Sequence, residues 1–240
     1  MDKEPILEVK NLNVTILKEA ILSDISFSIE EGDAAAIIGP NGAGKTVLFK
    51  CLLGLMRYEG EIRWRKGVTI GYVPQRFQID RTTPISVREF FQLHEGNFLF
   101  SNADVEIKKY LKMVELPEST IDERLGTLSG GELQRALIGW AIYDGPNVLL
   151  FDEPTAGVDV AGEQTIYNLL HSLQDQLGIT ILLVSHELNI VFKYATKVLC
   201  LNRKLICAGA PHDTLTQAQL EKLYGEATYY HHLHGHENEV

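Results

Sequence analysis

The stretch GPNGAGKT, residues 39–46, stands between an apolar run, AAAII at 34–38, and a helical pattern that extends from residue 45 to about residue 55. It is a full match to the phosphate-binding loop pattern, in the strand, loop and helix context that this pattern requires. The glycines let the backbone wrap closely with its N–H groups turned inward, and the helix directs its positive end at the phosphates. We therefore expect a nucleotide to be bound by Gly39, Pro40, Asn41, Gly42, Ala43, Gly44, Lys45 and Thr46.

A pair of carboxylates follows an apolar strand pattern in VLLFDEP, residues 148–154. The carboxyl ends of strands are where ligands bind to an α/β sheet. Asp152 would hold Mg²⁺ through water, and Glu153 would polarise an attacking water. On the loop, Lys45 would reach the β- and γ-phosphates and the Thr46 hydroxyl would bind the same Mg²⁺. The two motifs together predict a Mg²⁺-dependent nucleotide hydrolase.

The remainder of the chain alternates short apolar runs with longer helical patterns, which is typical of an α/β fold. Alternating patterns at 6–16 and 21–33 predict two strands joined by a short turn, and 77–128 is mostly helical in pattern. Unbroken apolar runs predict central parallel strands covered on both faces. Further strands are expected within 61–75, 147–154 and 179–188, and a final hairpin at 197–209.

Composition is that of a soluble globular protein, with 45% hydrophobic and 22% charged residues. A net charge of -10 argues against a non-specific nucleic-acid binder, which needs a basic surface. No apolar run approaches the roughly 20 residues that span a bilayer, and the N-terminus lacks a signal-peptide pattern. A cytosolic location is therefore expected, with Cys51, Cys200 and Cys207 as reduced, buried thiols.

The motifs that accompany the phosphate loop and the carboxylate pair resemble those of the ATP-binding cassette (ABC) ATPases. LSGGELQRA at 128–136 is similar to the family's signature sequence, and it stands after the phosphate loop and before the carboxylate strand, as it does in the family. Gln75 in GYVPQ, Asp159 in AGVD and His186 in VSHEL look like the residues of the Q-loop, the D-loop and the switch. The resemblance implies ATP as the nucleotide, with Mg²⁺ also bound by Gln75. The catalytic residues that it implies are Glu153, His186, Gln75 and Asp159.

The resemblance also implies a fold. We expect an α/β P-loop NTPase (RecA-like) core with an N-terminal antiparallel β subdomain and an inserted α-helical subdomain. A single ABC ATPase domain would occupy residues 1–240. Its parts would be the nucleotide-binding core at 1–75 and 129–225, the helical subdomain at 76–128, and a flexible histidine-rich tail at 226–240.

A second anion site is expected at the start of the helix that follows the signature. Ser129 and the amides of Gly130 and Gly131 can bind a γ-phosphate there. In the family two cassettes face head to tail, so that each signature closes over the ATP of the partner. The resemblance therefore implies an ATP-dependent homodimer with two composite sites, which is monomeric without ATP.

The resemblance implies membrane partners as well, because this chain has no membrane span of its own. The ATPase would lie on the inner face of the cell membrane, bound to separate integral permease subunits. The permease would dock into a groove on the ATPase. Candidate apolar residues for this groove are Tyr72, Phe77, Ile79, Phe90 and Phe91.

Three segments, around 73–90, 152–170 and 198–211, look most like the ATPases of bacterial importers for divalent metals. Zinc is the favoured cargo, and the permease and an extracytoplasmic metal-binding protein would select it. A manganese- or iron-type importer is the alternative. A non-transport cassette ATPase is a further alternative, which the acidic charge and the absence of a second cassette or long coiled coil disfavour.

Two positions depart from the family's pattern. Ile16 stands where the family often has an aromatic residue, so it offers adenine apolar contact without stacking. Glu132 stands where glutamine is commonest in the signature, with an effect that the sequence leaves open.

The tail TYYHHLHGHENEV contains four of the eight histidines, and imidazole suits Zn²⁺. A zinc-binding end that senses or buffers the imported ion, and a flexible polar terminus, are both consistent with it. The candidate ligands are His231, His232, His234 and His236.

Overall fold

A computed structural model describes residues 4–75, 77, 79–94, 103–153 and 160–225. The strands are β1 (Leu7–Ile16), β2 (Glu19–Ile29), β3 (Ala34–Ile38), β4 (Glu59–Trp64), β5 (Ile70–Val73), β6 (Val148–Asp152), β7 (Thr180–Val184), β8 (Lys197–Asn202) and β9 (Lys204–Gly209). The helices are α1 (Lys45–Leu52), α2 (Val87–Gln92), α3 (Ala103–Met113), α4 (Gly130–Ile142), α5 (Val160–Leu177), α6 (Leu188–Tyr194), α7 (Pro211–Thr214) and α8 (Gln217–Tyr224). The chain divides into two units, Met1–Gly67 with Leu182–Val240, and Val68–Ile181.

An antiparallel sheet with the order β2-β1-β4 lies in the first unit. Alternate residues at the start of β1 are buried, because successive side chains of a strand point to opposite faces. The turn between β1 and β2 consists of Leu17 and Lys18, whose φ angles of 48° and 71° are those of a type I′ hairpin turn. The predicted N-terminal antiparallel strands are confirmed, and β2 begins two residues earlier than its apolar pattern.

The first unit also contains β3, β8 and β9, which pair in that order. Strand β3 runs parallel to β8, and β8 pairs with β9 in the hairpin that the sequence predicts. All five residues of β3 are buried, as its unbroken apolar run requires. The turn of the hairpin is Arg203, which has a φ of 57°. Because β3 ends at Ile38, the phosphate loop begins at the carboxyl end of a central strand.

The expectation of three reduced thiols was wrong for two of them. Cys200 in β8 and Cys207 in β9 stand opposite each other in the register, with Cα atoms 4.9 Å apart, and they form a disulfide. Such a Cα separation lies within the range that a disulfide can bridge. Sequence spacing could not reveal this pair, because the bulge in the hairpin sets its register. Cys51 is a free, buried thiol as expected, and burial raises its pKa to about 11.

The second unit contains the parallel pair β5 and β6, and all five residues of β6 are buried. Among the described residues of the region 77–128, the helical parts are α2, α3 and two short 3₁₀ segments, Glu118–Asp122 and Leu125–Thr127. Helix α2 begins only after Ser86, because Asp80 accepts hydrogen bonds from Thr82 in a turn and Pro84 follows. Among the described helices, none is both long and apolar enough to cross a membrane.

Candidate active site

The phosphate loop joins β3 to α1 through glycines in conformations that other residues rarely adopt. Gly42 and Gly44 have φ angles of 79° and 97°, and Gly44 is the N-cap of α1. These angles cost glycine nothing, whereas a Cβ would introduce strain. The loop therefore brings backbone N–H groups to the positive end of a helix, the arrangement that binds phosphates.

Lys45 supplies the cation of this loop. Its side chain is only 6% exposed, and its Nζ donates hydrogen bonds to the carbonyl oxygens of Gly39 at 2.7 Å and Pro40 at 3.1 Å. Thr46 is half-buried in the first turn of α1, and Asn41 is exposed. A buried ammonium group held by the carbonyls of a loop at a helix N-terminus fits a polyphosphate ligand.

The hairpin turn between β8 and β9 supports the loop from outside. A Cβ on Gly39 would stand 1.9 Å from the carbonyl oxygen of Leu201, and the Arg203 N–H donates to the carbonyl of Ala43 at 3.0 Å. A Cβ on Gly44 would stand 2.5 Å from Leu22. Sequence reasoning missed these supporting residues, because no local pattern links a loop at 39–46 to a turn near 202.

The carboxylates are at the end of β6. Asp152 is 2% exposed, and its charge adds to burial in raising the pKa of Tyr72 on the neighbouring strand. Glu153 has a φ of 53°, a left-handed conformation that is costly for this residue; strained backbone of this kind is common at active sites. The Gln75 amide donates a hydrogen bond to the Glu153 carboxylate. Two predicted catalytic residues, 78 positions apart, are therefore in direct contact.

His186 is half-buried just after β7. The N–H of the preceding residue, Ser185, donates to the carbonyl of Ile37 at 3.2 Å. Ser185 is itself buried, and its hydroxyl accepts a hydrogen bond from the Glu187 N–H at 3.1 Å. The segment that contains His186 is thereby fixed beside the strand that leads into the phosphate loop.

The signature forms a capping box at the start of α4. Ser129 is the N-cap, and its hydroxyl accepts from the Glu132 N–H at 3.3 Å and donates to the Glu132 carboxylate at 2.7 Å. The same carboxylate accepts from the Ser129 N–H at 2.9 Å. These hydrogen bonds lower the pKa of Glu132. The glutamate is thus a reciprocal cap of its own helix, while Ser129 and Gly130 are exposed.

Two of the residues offered for a docking groove are core residues instead, which corrects the expectation for them. Phe90 stacks on Trp140 with ring centroids 5.1 Å apart, and Phe91 is fully buried. Both lie on the face of α2 that packs towards α4, where the Trp140 indole N–H donates to the Phe90 carbonyl at 3.1 Å. The half-buried residues of the set are Tyr72, Phe77 and Ile79.

Other predicted site residues have simpler surroundings. Ile16 is 39% exposed at the end of β1, beside the hairpin turn. Gly131 is half-buried in the first turn of α4. The residues that lie outside the described part of the chain are Asp159, His231, His232, His234 and His236.

Comparison with known proteins gives one consistent result. The family model for the ABC transporter matches residues 22–156. A relative from Histophilus somni (strain 129Pt), named Zinc import ATP-binding protein ZnuC, is 37% identical over 244 residues, covering 99% of this chain and 90% of that protein. Another, from Hahella chejuensis (strain KCTC 2396) and named Zinc import ATP-binding protein ZnuC 1, is 39% identical over 226 residues, covering 94% and 86%.

A solved structure gives the same result for the fold. It is cbiO1 from Clostridium perfringens, part of the ABC transporter complex cbiONQ, with a TM-score of 0.77 and 28% identity over 97% of this chain and 100% of that chain. The predicted α/β fold with a P-loop core is confirmed. The family model matches more than half of the chain and the relatives match nearly all of it, so the chain belongs to the ABC transporter family and is one of its ATPases.

Proposed function

We propose that this chain is the ATP-hydrolysing subunit of an importer of a divalent metal ion, zinc foremost, that works through a separate membrane permease. The observation that carries the proposal is the similarity to two proteins named for zinc import, at 37% and 39% identity over 99% and 94% of this chain. The ATPase supplies energy, while the permease and an extracytoplasmic metal-binding protein select the ion.

Phosphate binding is assigned to the loop 39–46. Support comes from the cradle that a Cβ would fill at Gly39 and Gly44, and from the buried cation of Lys45. On nucleotide binding, the Nζ of Lys45 would exchange its hydrogen bonds to the carbonyls of Gly39 and Pro40 for bonds to phosphate oxygens. The exchange gives the ammonium group an anionic partner in place of a neutral carbonyl, and the attraction between opposite charges favours it. Ile16 would give adenine apolar contact only.

Hydrolysis is assigned to Glu153 as the residue that polarises water. Its carboxylate accepts one hydrogen bond from the Gln75 amide and has further lone pairs that can accept from water. His186 would contact the γ-phosphate and orient the same water, and Asp159 would take the role of the D-loop aspartate. Mg²⁺, assigned to Thr46, Gln75 and Asp152, supplies charge neutralisation on the phosphates when bound.

A head-to-tail dimer of this chain is proposed as the hydrolytic species. Ser129, Gly130 and Gly131 would bind the γ-phosphate of the partner's ATP. Support comes from the exposure of Ser129 and Gly130 at the start of a 13-residue helix, whose N–H groups attract an anion. To bind phosphate, the Ser129 hydroxyl has to redirect the hydrogen bond that it donates to Glu132.

Binding to the permease would hold the chain on the cytoplasmic face of the membrane. Three of the apolar residues expected in the docking groove have exposed surface, namely Tyr72, Phe77 and Ile79. Their positions in the chain, within four residues of Gln75 on either side, support a link between the docking surface and the hydrolytic glutamine.

The histidine-rich tail is proposed as a cytosolic sensor or buffer for the imported ion, through His231, His232, His234 and His236. A chain truncated after Tyr230 should retain its ATPase rate and lose zinc binding, with altered uptake only at high zinc. Calorimetry checks this directly. Zinc binding that is unchanged after truncation would overturn the assignment.

Metal uptake in cells that lack the gene tests the whole proposal. The intact chain should restore zinc uptake, Glu153→Gln should not, and Glu89→Gln should serve as the matched control that does. Restoration of manganese or iron uptake in place of zinc would contradict the choice of cargo. If cells with and without the gene take up every metal equally, the transport function would be overturned.

A further inference from the structure

Gly39, the first residue of the phosphate loop, is contacted from three directions. Its carbonyl accepts from the Nζ of Lys45 at 2.7 Å, and its α-carbon lies so close to the Leu201 carbonyl that only glycine fits. On a third side, the Tyr224 hydroxyl is hydrogen-bonded to the backbone of Gly39; the N–H is the donor, because this bond acts to lower the pKa of the tyrosine. The last residue of helix α8 therefore contacts the first residue of the loop.

Helix α8 is firmly placed for this contact. Thr216 caps its N-terminus by accepting from the Gln219 N–H, and Leu220 and Leu223 are buried. The Asn202 amide donates to the carbonyl of Leu223 at 3.3 Å. Since Asn202 directly follows Leu201, the contacts form a closed ring: Gly39, Leu201, Asn202, Leu223 and Tyr224.

The Tyr224 hydroxyl is neutral at physiological pH. Partial burial raises its pKa to about 12, and the hydrogen bond from Gly39 opposes that rise. A neutral acceptor can hold the Gly39 N–H without adding a negative charge next to an anion site. It can therefore stay in place when a phosphate arrives, whereas the bonds from Lys45 to the loop carbonyls must be released.

We propose that Tyr224 is a positioning residue for ATP binding, which holds Gly39 in place while Lys45 moves to the phosphates. The ring through Asn202 makes the position of α8 a determinant of loop geometry and hence of nucleotide affinity. This inference rests on the proposal that the loop binds ATP. No part of it requires Tyr224 to touch the nucleotide.

The test is Tyr224→Phe in the full-length chain, which removes the hydroxyl and keeps the ring. Loss of one hydrogen bond on the loop should raise the KM for ATP about three- to tenfold, with kcat within about twofold of the wild type. Tyr58→Phe, at an exposed tyrosine of the same unit, is the matched control and should leave both parameters unchanged. A purely structural role would lower the Tm without this split between KM and kcat.

Asn202→Ala provides the second arm. If the ring acts as a unit, Asn202→Ala also raises the KM. The double variant Asn202→Ala with Tyr224→Phe then raises the KM by less than the product of the two single fold-changes. A KM within twofold of the wild type in Tyr224→Phe, or a fall in kcat alone, would overturn the inference. Failure of the wild-type chain to bind ATP would instead contradict the proposed function, so the two failures are distinguishable.

Discussion

The phosphate loop and the signature segment are both glycine-rich sequences at helix N-termini and are both proposed as anion sites, yet their surroundings differ. The loop is braced by its own chain, with Lys45 folded over it and the Leu201 carbonyl packed against Gly39. The signature is exposed at Ser129 and Gly130, and its capping hydroxyl is bonded to Glu132 of the same helix. One site is ready for a ligand within a single chain. The other is exposed, and we propose that a ligand carried by a second copy covers it.

The largest effect should come from the cation of the braced site. Lys45→Ala should lower the ATPase rate by about 10²-fold or more, because a preorganised charge at the phosphates is removed. Lys50→Ala, on the exposed side of the same helix, is the control and should keep most of the activity. Phosphate release measured at saturating MgATP checks both. Comparable activity in Lys45→Ala and Lys50→Ala would remove the loop from the mechanism.

The bracing itself predicts a difference between two glycines of one loop. Gly39→Ala should lower the free energy of unfolding by about 3 kcal/mol or more, because its Cβ would stand 1.9 Å from the Leu201 carbonyl oxygen. A Cβ added at Gly42 would meet nothing within 4 Å. Gly42→Ala should therefore lower the free energy of unfolding by about 1 kcal/mol, from the left-handed backbone alone. Urea unfolding without nucleotide measures both. Equal losses would mean that the hairpin does not brace the loop.

The smallest effect distinguishes the signature from an ordinary helix cap. Ser86 and Glu89 form the same capping box on α2 as Ser129 and Glu132 do on α4. Only Glu132→Gln removes a negative charge beside a proposed phosphate site, so it should lower the KM for ATP about threefold, while Glu89→Gln leaves it unchanged. A shift of similar size in both variants would show that the effect comes from helix stability.

Both caps also predict the same dependence of stability on pH. Hydrogen bonds from the serines hold the pKa of Glu89 and of Glu132 below their ordinary 4.5. The stabilisation is therefore complete above that value and is lost as the pH falls through the lowered pKa. Part of the fall in Tm of the wild type at acid pH should come from protonation of these two carboxylates. In Glu89→Gln and in Glu132→Gln, the part that belongs to the replaced carboxylate should be absent. A pH profile unchanged from the wild type in both variants would contradict the assignment.

Local patterns were sufficient for part of this molecule. The alternation in β1 and β2 and the apolar run of β3 predicted their strands, because burial of one or both faces leaves a direct trace in the sequence. Contacts between distant segments left no such trace. Gly39 is supported by Leu201 and Tyr224, and Cys200 forms a disulfide with Cys207. Both features depend on which elements become neighbours in the fold. Apolar spacing in α2 likewise could not tell a docking face from a core face.

The signature is proposed to be completed by a second copy of the chain that carries ATP. Light scattering on Glu153→Gln in saturating MgATP tests it most directly, because that variant should bind ATP and fail to release the dimer by hydrolysis. We predict a mass of twice 26.9 kDa with MgATP and 26.9 kDa without nucleotide. The double variant Lys45→Ala with Glu153→Gln should stay monomeric in both conditions. A Glu153→Gln chain that remains at 26.9 kDa in saturating MgATP would contradict the account.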